Sequence, residues 1–553
     1  MALPALPLAL AGRADQAVYT MLGSFTTTFG RNLPYARRAR VLAVVAVAMT
    51  ACVAGGAALA AWAHPRDGGA GAVVAVVATA LVAGLAKFSC DAERLRGLGA
   101  VLLLSSFAVA ANGASAPADV LPQAGLAACG AAVAWVLAVA GRLVHPDRPQ
   151  RLAVAAALRE LADLWDASGT PGPGRLVRHR ATAAVLQAYR TLGVLPPSGT
   201  EWGGRGDTCV RLADLSWALL VGSARRPPND PTGLARTLRR QVRLLVSRRL
   251  RAPRLLPELA LPVLIAQSGM LARPGGPTGT RPAGTGTSGP GPVTADPTTL
   301  RAAELRAAAL VTGPAHGRAA VLLVPALRMV LGTGLAGGAA LLLGLGHGYW
   351  AAISAAAVLH SVNVRTAAQR AVQRTLGTIA GLLLALGVLG LGPGPVTLVL
   401  VIVLFEFLLE YVVARNYGLG VVFLTPLALL LTDLAAPAPA GSLVQDRALS
   451  SALGVGIGLG CALMVVHDRA AVRAERALSA CTAASERAER ALEEGAVRSF
   501  PLVQTRLAAA AVELREADDA AAGELWPAEI DPTELVAAER RAYLLLDRLA
   551  RKA

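Results

Sequence analysis

The chain has 553 residues, of which 54% are hydrophobic and only 16% are charged. With a mean hydropathy of +0.52, it carries too few charged residues for a soluble protein of this length, which indicates a membrane protein. The formal net charge is +17, and most of it lies in one segment, since residues 142–318 contain 25 arginines and 11 acidic residues. Charge of one sign between apolar blocks follows the positive-inside rule. Because the chain also lacks zinc-finger spacing and interleaved aromatics, we expect no nucleic acid as a partner.

The first apolar block, residues 1–143, is predicted to cross the membrane repeatedly, since a transmembrane helix needs about 20 apolar residues. Its predicted spans are 16–30, 41–62, 70–87, 98–113 and 121–141. The preceding residues 2–12 are apolar but short, carry Pro4 and Pro7, and lack the basic start of a secretory signal. We expect them to be half of a helix whose true start lies upstream of Met1.

Residues 144–272 are predicted to form a cytoplasmic helical domain, because apolar residues recur at helical spacing within them. The stretch 237–254 is amphipathic and rich in arginine. It suits contact with anionic lipid headgroups or packing as a solvated helix on its neighbours, and the sequence leaves both interpretations open. The Gly-, Pro- and Thr-rich residues 273–299 predict a disordered linker.

The second apolar block, residues 300–467, repeats the pattern of the first. Both blocks carry an arginine cluster after a short apolar helix, and they end in Val144-His145-Pro146-Asp147-Arg148 and Val466-His467-Asp468-Arg469. The predicted spans are 320–346, 349–363, 375–392, 396–414, 417–433 and 448–466. The sequence therefore predicts an all-α polytopic membrane protein with two parallel repeats of about six transmembrane helices. A cytoplasmic helical tail is predicted at 468–553.

The distribution of arginine predicts the orientation. The loops at 31–40, 88–97 and 364–374, the middle domain and the tail are basic, whereas the alternate loops are short and nearly uncharged. Basic loops stay on the cytoplasmic side of a membrane. We therefore expect a multi-pass protein of the cell (inner, or plasma) membrane with both termini in the cytoplasm.

Signatures of enzymes are missing from the sequence. It contains no phosphate-binding loop of the GxxxxGK[ST] type, no HExxH and no GxSxG. The six cysteines fall singly and the seven histidines are scattered, which predicts neither disulfides nor a metal site. We expect no catalytic activity, no cofactor and no metal.

Two groups of charged residues in the second block are candidate functional residues. Glu406 and Glu410 share one face of a predicted span, where a charged group costs about 2.5–3.5 kcal/mol. They are candidates for proton coupling, or else pair with nearby arginines for structural reasons. Four arginines at cytoplasmic helix ends are candidates for a vestibule that attracts an organic anion, or else serve only as topology signals. These four are Arg365, Arg370, Arg374 and Arg415.

The second block resembles the fusaric acid resistance family. An aromatic pair starts a short span and is followed by an R…R…GT…G pattern and by later motifs. The first block matches this pattern more loosely. The matching residues are Tyr349-Trp350, Arg365, Arg370, Arg374, Gly377-Thr378, Gly381, Arg415-Asn416-Tyr417, Thr425-Pro426 and Asp446-Arg447. The resemblance implies an inner-membrane protein related to aromatic acid exporters, which move aromatic carboxylates outward with a proton gradient, in a superfamily that includes plant malate channels. It assigns no substrate-binding residue in this chain.

We therefore expect a secondary transporter that exports small organic carboxylates, with aromatic ones favoured, by proton antiport. Its expected partners are the lipid bilayer, a small organic anion and the proton. A passive organic-anion channel and a non-transporting membrane scaffold stay open as alternatives. The sequence also leaves open whether the protein is a homo-oligomer.

Overall fold

The structure is a computed structural model, and every regular element in the residues that it describes is a helix. This confirms the predicted all-α class. The described residues are 2–30, 33–93, 99–113, 116–167, 174–194, 207–223, 230–247, 255–259, 319–361, 363–413, 416–435, 438–464, 469–522 and 531–552. The predicted linker at 273–299 lies outside these residues.

Nineteen α-helices of nine residues or more follow one another in the described ranges. The first apolar block contains α1 (Ala2–Leu10), α2 (Ala14–Ser24), α3 (Tyr35–Ala63), α4 (Gly69–Ala92), α5 (Gly99–Ala111) and α6 (Val120–Val144). The middle segment contains α7 (Arg148–Asp166), α8 (Gly174–Leu192), α9 (Asp207–Gly222) and α10 (Pro231–Val246). The second apolar block contains α11 (Ala319–Leu342), α12 (Tyr349–Leu359), α13 (Val364–Gly390), α14 (Pro395–Val413), α15 (Tyr417–Ala435) and α16 (Ala440–Met464). The tail contains α17 (Arg469–Glu493), α18 (Phe500–Ala521) and α19 (Pro532–Lys552).

Eight helices in the described part of the chain are long and apolar enough to cross a membrane. They are α3, α4, α6, α11 and α13 to α16, and a polytopic membrane protein is thereby confirmed. Three of the eleven predicted spans are shorter than expected: α2 and α12 have 11 residues each, and α5 has 13. At 1.5 Å per residue, each is shorter than the hydrocarbon core of about 30 Å.

The chain divides into two compact units. One, the membrane unit, comprises Met1–Leu143, Pro314–Arg469 and Ala522–Pro527. The other, the helical unit, comprises Val144–Gly313, Ala470–Ala521 and Ala528–Ala553. The middle segment and the tail, which the sequence treats as separate regions, therefore contribute to one unit.

Within the membrane unit, the contacts between the two apolar blocks occur in equivalent pairs. The first and fourth helices of opposite blocks pack together, as α1 with α14 and α11 with α4. The second and fifth helices do the same, as α2 with α15 and α12 with α5. Helices α2 and α6 meet closely at Gly23 and Gly130, and α12 and α16 meet closely at Gly454 and Gly458. Two parallel repeats would produce this arrangement, and the repeat itself stays a prediction.

The helical unit has a core of its own, built from α7 to α10 and α17 to α19. The Trp217 indole Nε1 donates to Gln504 Oε1 at 3.2 Å, and Arg175 forms a 2.6 Å ion pair with Glu539. In the basic stretch that was predicted at 237–254, Arg239 pairs with Asp163 at 2.7 Å. Part of its charge is thus neutralised inside this unit.

Candidate anion-binding site

The site is built around α12, a short helix without an exposed face. Every residue from Trp350 to Leu359 is buried. The end of this helix is fixed by Arg328 of α11, whose Nη2 donates to the carbonyl oxygens of Leu359 and Ser361, both at 3.0 Å. These carbonyls would otherwise lack partners at a helix C-terminus. Helix α12 therefore holds its side chains in fixed positions between α13 and α16.

Arg374 and Arg447 are the two buried arginines of the described residues, with 1% and 2% of their surface exposed. Arg374 of α13 donates from Nη2 to Ser354 Oγ at 3.2 Å and from Nη1 to the Tyr417 hydroxyl at 3.5 Å. The guanidinium of Arg447, on α16, lies 3.8 Å from the centre of the Trp350 ring. We call these five residues, from four helices, the arginine site.

The positive charge of the arginine site has no acidic partner among the described residues. Both arginines bond only to neutral groups. The buried Arg374 Nε and the buried Nε and Nη1 of Arg447 have no hydrogen-bond acceptor, although the two side chains are close enough to interact electrostatically. Removing a charge from water costs several kcal/mol per ion unless an opposite charge and hydrogen bonds compensate. The arrangement therefore provides what an anion needs, namely charge and free donors.

The helices that carry the arginine site also carry further buried hydroxyl groups. Four buried hydroxyls on α13, α15 and α16 have no hydrogen-bond partner, and they belong to Thr378, Thr425, Ser450 and Ser451. Glycines bring their helices close together: a Cβ on Gly381 would lie 2.7 Å from Thr425 Cβ, and one on Gly454 would lie 2.8 Å from Ser354 Cβ. The second apolar block thus concentrates hydrogen-bonding groups where its helices meet.

Three of the four predicted vestibule arginines lie in the described residues, and the vestibule itself stays a prediction. Arg374 belongs to the arginine site and is buried, so the prediction of a loop position was wrong because α13 begins at Val364, three turns earlier. Arg370 is half-buried, and its guanidinium lies 5.6 Å from the centre of the Tyr417 ring, so it borders the site. Arg365 is exposed and does not join it. Arg415 lies outside the described residues.

Glu406 and Glu410 lie on α14, as predicted, and are half-buried. They flank the face of α14 that buries Ile402, Phe405 and Leu409. The hydrogen bonds and ring contact described for Arg374 and Arg447 include neither glutamate. The two carboxylates and the arginine site are therefore distinct groups within the membrane unit, and proton coupling by the glutamates stays a prediction.

Arg447 was not among the predicted site residues. The last span was predicted to begin at residue 448, but α16 begins at Ala440, so Arg447 lies two turns inside the helix. A sequence signal was present, because Arg447, Ser450, Ser451, Gly454 and Gly458 recur at helical spacing and form one buried face. A face of small and polar residues marks a helix that packs on other helices rather than on lipid.

Comparisons with known proteins agree with this location. Residues 335–461 match the family model of fusaric acid resistance protein-like domains, and this range includes the whole arginine site. The chain is also 25% identical over 474 residues to YvaC, an uncharacterized membrane protein of Bacillus subtilis (strain 168). The aligned region covers 82% of this chain and 69% of that protein. No solved structure matches the chain. Residues 335–461 of the second apolar block therefore match a fusaric acid resistance protein-like domain, which confirms the resemblance predicted from its motifs.

Proposed function

We propose that this protein is a secondary transporter of the cell membrane that exports small organic carboxylates, with aromatic ones favoured, using the proton gradient. The observation that carries the proposal is the pair of buried arginines without an acidic partner in the described part of the membrane unit. A non-transporting scaffold would have no use for such a pair. A transporter needs it to hold an anion inside the membrane.

The chemistry of the arginine site suits a carboxylate. A guanidinium is planar, stays charged and donates hydrogen bonds in directions that match carboxylate oxygens. Hydrogen bonds of this charge-assisted kind contribute about 1.5–3 kcal/mol. Trp350 and Tyr417 place aromatic rings beside the two arginines, and a substrate with an aromatic ring could pack against them after a rearrangement of the arginines.

We assign proton coupling to Glu406 and Glu410. They are spaced i, i+4 on a helix that is otherwise almost entirely apolar, and acidic groups at such positions commonly mark proton pathways. Proton entry supplies about 2.3 kcal/mol per 100 mV of membrane potential. With this coupling the protein is a proton antiporter, and without it the same arginine site would serve a passive anion channel.

The test is export of benzoate and related aromatic carboxylates from cells that produce the protein, with and without a protonophore. We expect the protonophore to abolish export and Glu406→Gln to reduce it at least about tenfold at equal membrane abundance. Asp67→Asn is the matched control, since Asp67 is an exposed acid in the turn after α3, and should leave export unchanged. Export that persists with the protonophore would identify a channel, and absence of export for every carboxylate would favour the scaffold.

A further inference from the structure

The described state of the arginine site is poorly suited to an aromatic substrate. The Arg447 guanidinium covers the Trp350 ring at 3.8 Å, and the Arg370 guanidinium lies 5.6 Å from the centre of the Tyr417 ring. In this arrangement arginines lie against both rings, where a substrate ring would otherwise pack. The donors of Arg374 and Arg447 that lack an acceptor are nevertheless available. In this arrangement they suit a small anion without a ring.

We propose that, when no organic carboxylate is bound, the arginine site holds a small inorganic anion of the size of chloride, which the carboxylate displaces. The inference rests on the proposed function and adds a second ligand and a second transported species to it. The inorganic anion binds to the donors of Arg374 and Arg447, and the buried hydroxyls of Ser450 and Ser451, which lack partners, are on the same buried face of α16 as Arg447.

Electrostatics gives the reason for a resident anion. Two guanidiniums that are almost fully buried and lack an acidic partner in the described residues repel each other. Moving them through an apolar environment without a counter-ion is strongly unfavourable. A site that releases its carboxylate outside therefore returns with another anion in place. Transport is consequently an exchange, in which a carboxylate leaves and an inorganic anion enters, while proton coupling is assigned to different residues.

The experiment uses the full-length protein in proteoliposomes with labelled benzoate outside. One set is loaded with chloride and the other with 2-morpholinoethanesulfonate, a bulky anion without a carboxylate, at equal ionic strength, equal pH on both sides and a clamped membrane potential. We expect benzoate uptake to be at least about tenfold faster into chloride-loaded vesicles. Arg447→Gln should lose this stimulation, whereas Arg540→Gln, which removes an exposed arginine of α19 in the helical unit, should keep it. Equal uptake rates for the two loadings would overturn the proposal.

Exchange of labelled chloride for chloride separates this inference from the proposed function. Chloride exchange that Arg447→Gln abolishes, without carboxylate transport, would support the resident anion and refute organic acid export. Benzoate transport without chloride exchange would refute the resident anion alone. Arg447→Lys guards against a folding defect, since it keeps the charge. We expect it to retain part of the chloride exchange, and its complete loss in a variant that elutes as the folded protein in gel filtration would count against a charge-based site.

Discussion

At the residue scale, the geometry of Arg447 can be separated from its charge. A lysine at this position would keep the positive charge but lose the planar group that stacks on Trp350 at 3.8 Å and the donors at Nε and Nη1. We expect Arg447→Lys to raise the KM for benzoate export by about 10- to 100-fold, the equivalent of one charge-assisted hydrogen bond. Initial rates over a range of cytoplasmic benzoate concentrations measure this change.

The control for this substitution is Arg365→Lys. Arg365 is exposed on α13, and its replacement by lysine should leave the KM unchanged. A similar KM for wild type and Arg447→Lys would mean that only charge matters at this position, and the assignment of Arg447 as a carboxylate ligand would then be wrong.

His179 of the helical unit makes stability depend on pH. Burial is the main cause that lowers its pKa below the ordinary 6.5, against the opposing effect of Glu516. The unfolded chain therefore binds a proton at this group more readily than the folded protein. Stability from His179 is fully present above pH 6.5 and is lost as the pH falls below it. We expect the Tm of the full-length protein to fall between pH 7.5 and 5.5, and to fall less in His179→Gln.

Tryptophan fluorescence of the buried Trp165 and Trp217 can follow this unfolding. His64→Asn is the control, because His64 is exposed and has a positive φ of 45° that asparagine tolerates. It should keep the pH dependence of wild type. If the Tm of His179→Gln and of wild type falls by the same amount between pH 7.5 and 5.5, His179 does not contribute to the loss of stability in acid.

The candidate residues show how far a sequence can predict such a site. Arg374 was predicted because it recurs with Arg370 at i, i+4 beside a resemblance motif, but its burial depends on α12 and α15, which pack on α13 only in the fold. Arg447 lies one residue before the span that the sequence predicts at 448–466. Hydropathy assigns a charged residue to the nearest helix end, whereas the structure shows that neighbouring helices can shield it two turns inside.

At the scale of elements, the crossing of α12 and α16 depends on glycine. A Cβ on Gly454 would lie 2.8 Å from Ser354 Cβ and closer still to the carbonyl oxygen of Ala351. Because that carbonyl belongs to a buried helix, the two helices must separate to make room, and overpacking of this kind costs about 1–3 kcal/mol. We expect Gly454→Ala to lower the Tm and to weaken export, since Ser354 binds Arg374.

Gly456→Ala provides a matched comparison on the same helix. No atom lies within 4 Å of a Cβ built on Gly456, and alanine has the higher helix propensity. This variant should match or exceed wild type in Tm and export. If both alanine variants behave alike, close packing at Gly454 is not required for the arginine site.

The elements themselves were only partly predictable. Long apolar runs predicted the ends of α14 and α15 to within two residues. The other long helices extend further where their end turns are polar, as at Val364 and Ala440 and after Lys87 of α4. The short helices were predicted too long, because each predicted span includes residues beyond the end of the α-helix, as with the 3-10 helix Phe25–Thr28 after α2. Hydropathy records burial in an apolar environment but not the point at which the backbone turns.

At the scale of the whole molecule, the helical unit constrains the topology of the second apolar block. Helices from the middle segment and from the tail share one core, as the pair of Arg175 and Glu539 illustrates. Both segments must therefore lie on the same side of the membrane. Among the described helices between them, five are long enough to cross, and an odd number would place the segments on opposite sides. Since α12 is the remaining apolar helix in the described part of that block, we infer that α12, together with the residues that flank it, completes a sixth crossing.

This inference predicts that the residues before and after α12 face opposite sides of the membrane. Leu343 follows α11 and Arg365 lies in the first turn of α13, and both side chains are exposed. In a variant without native cysteines, we expect Leu343→Cys to react with a membrane-impermeant maleimide in intact cells. Arg365→Cys should react only after permeabilisation, because basic loops stay in the cytoplasm. Labelling of both cysteines under the same condition would show that α12 does not cross, and reversed labelling would keep the crossing but invert the predicted orientation.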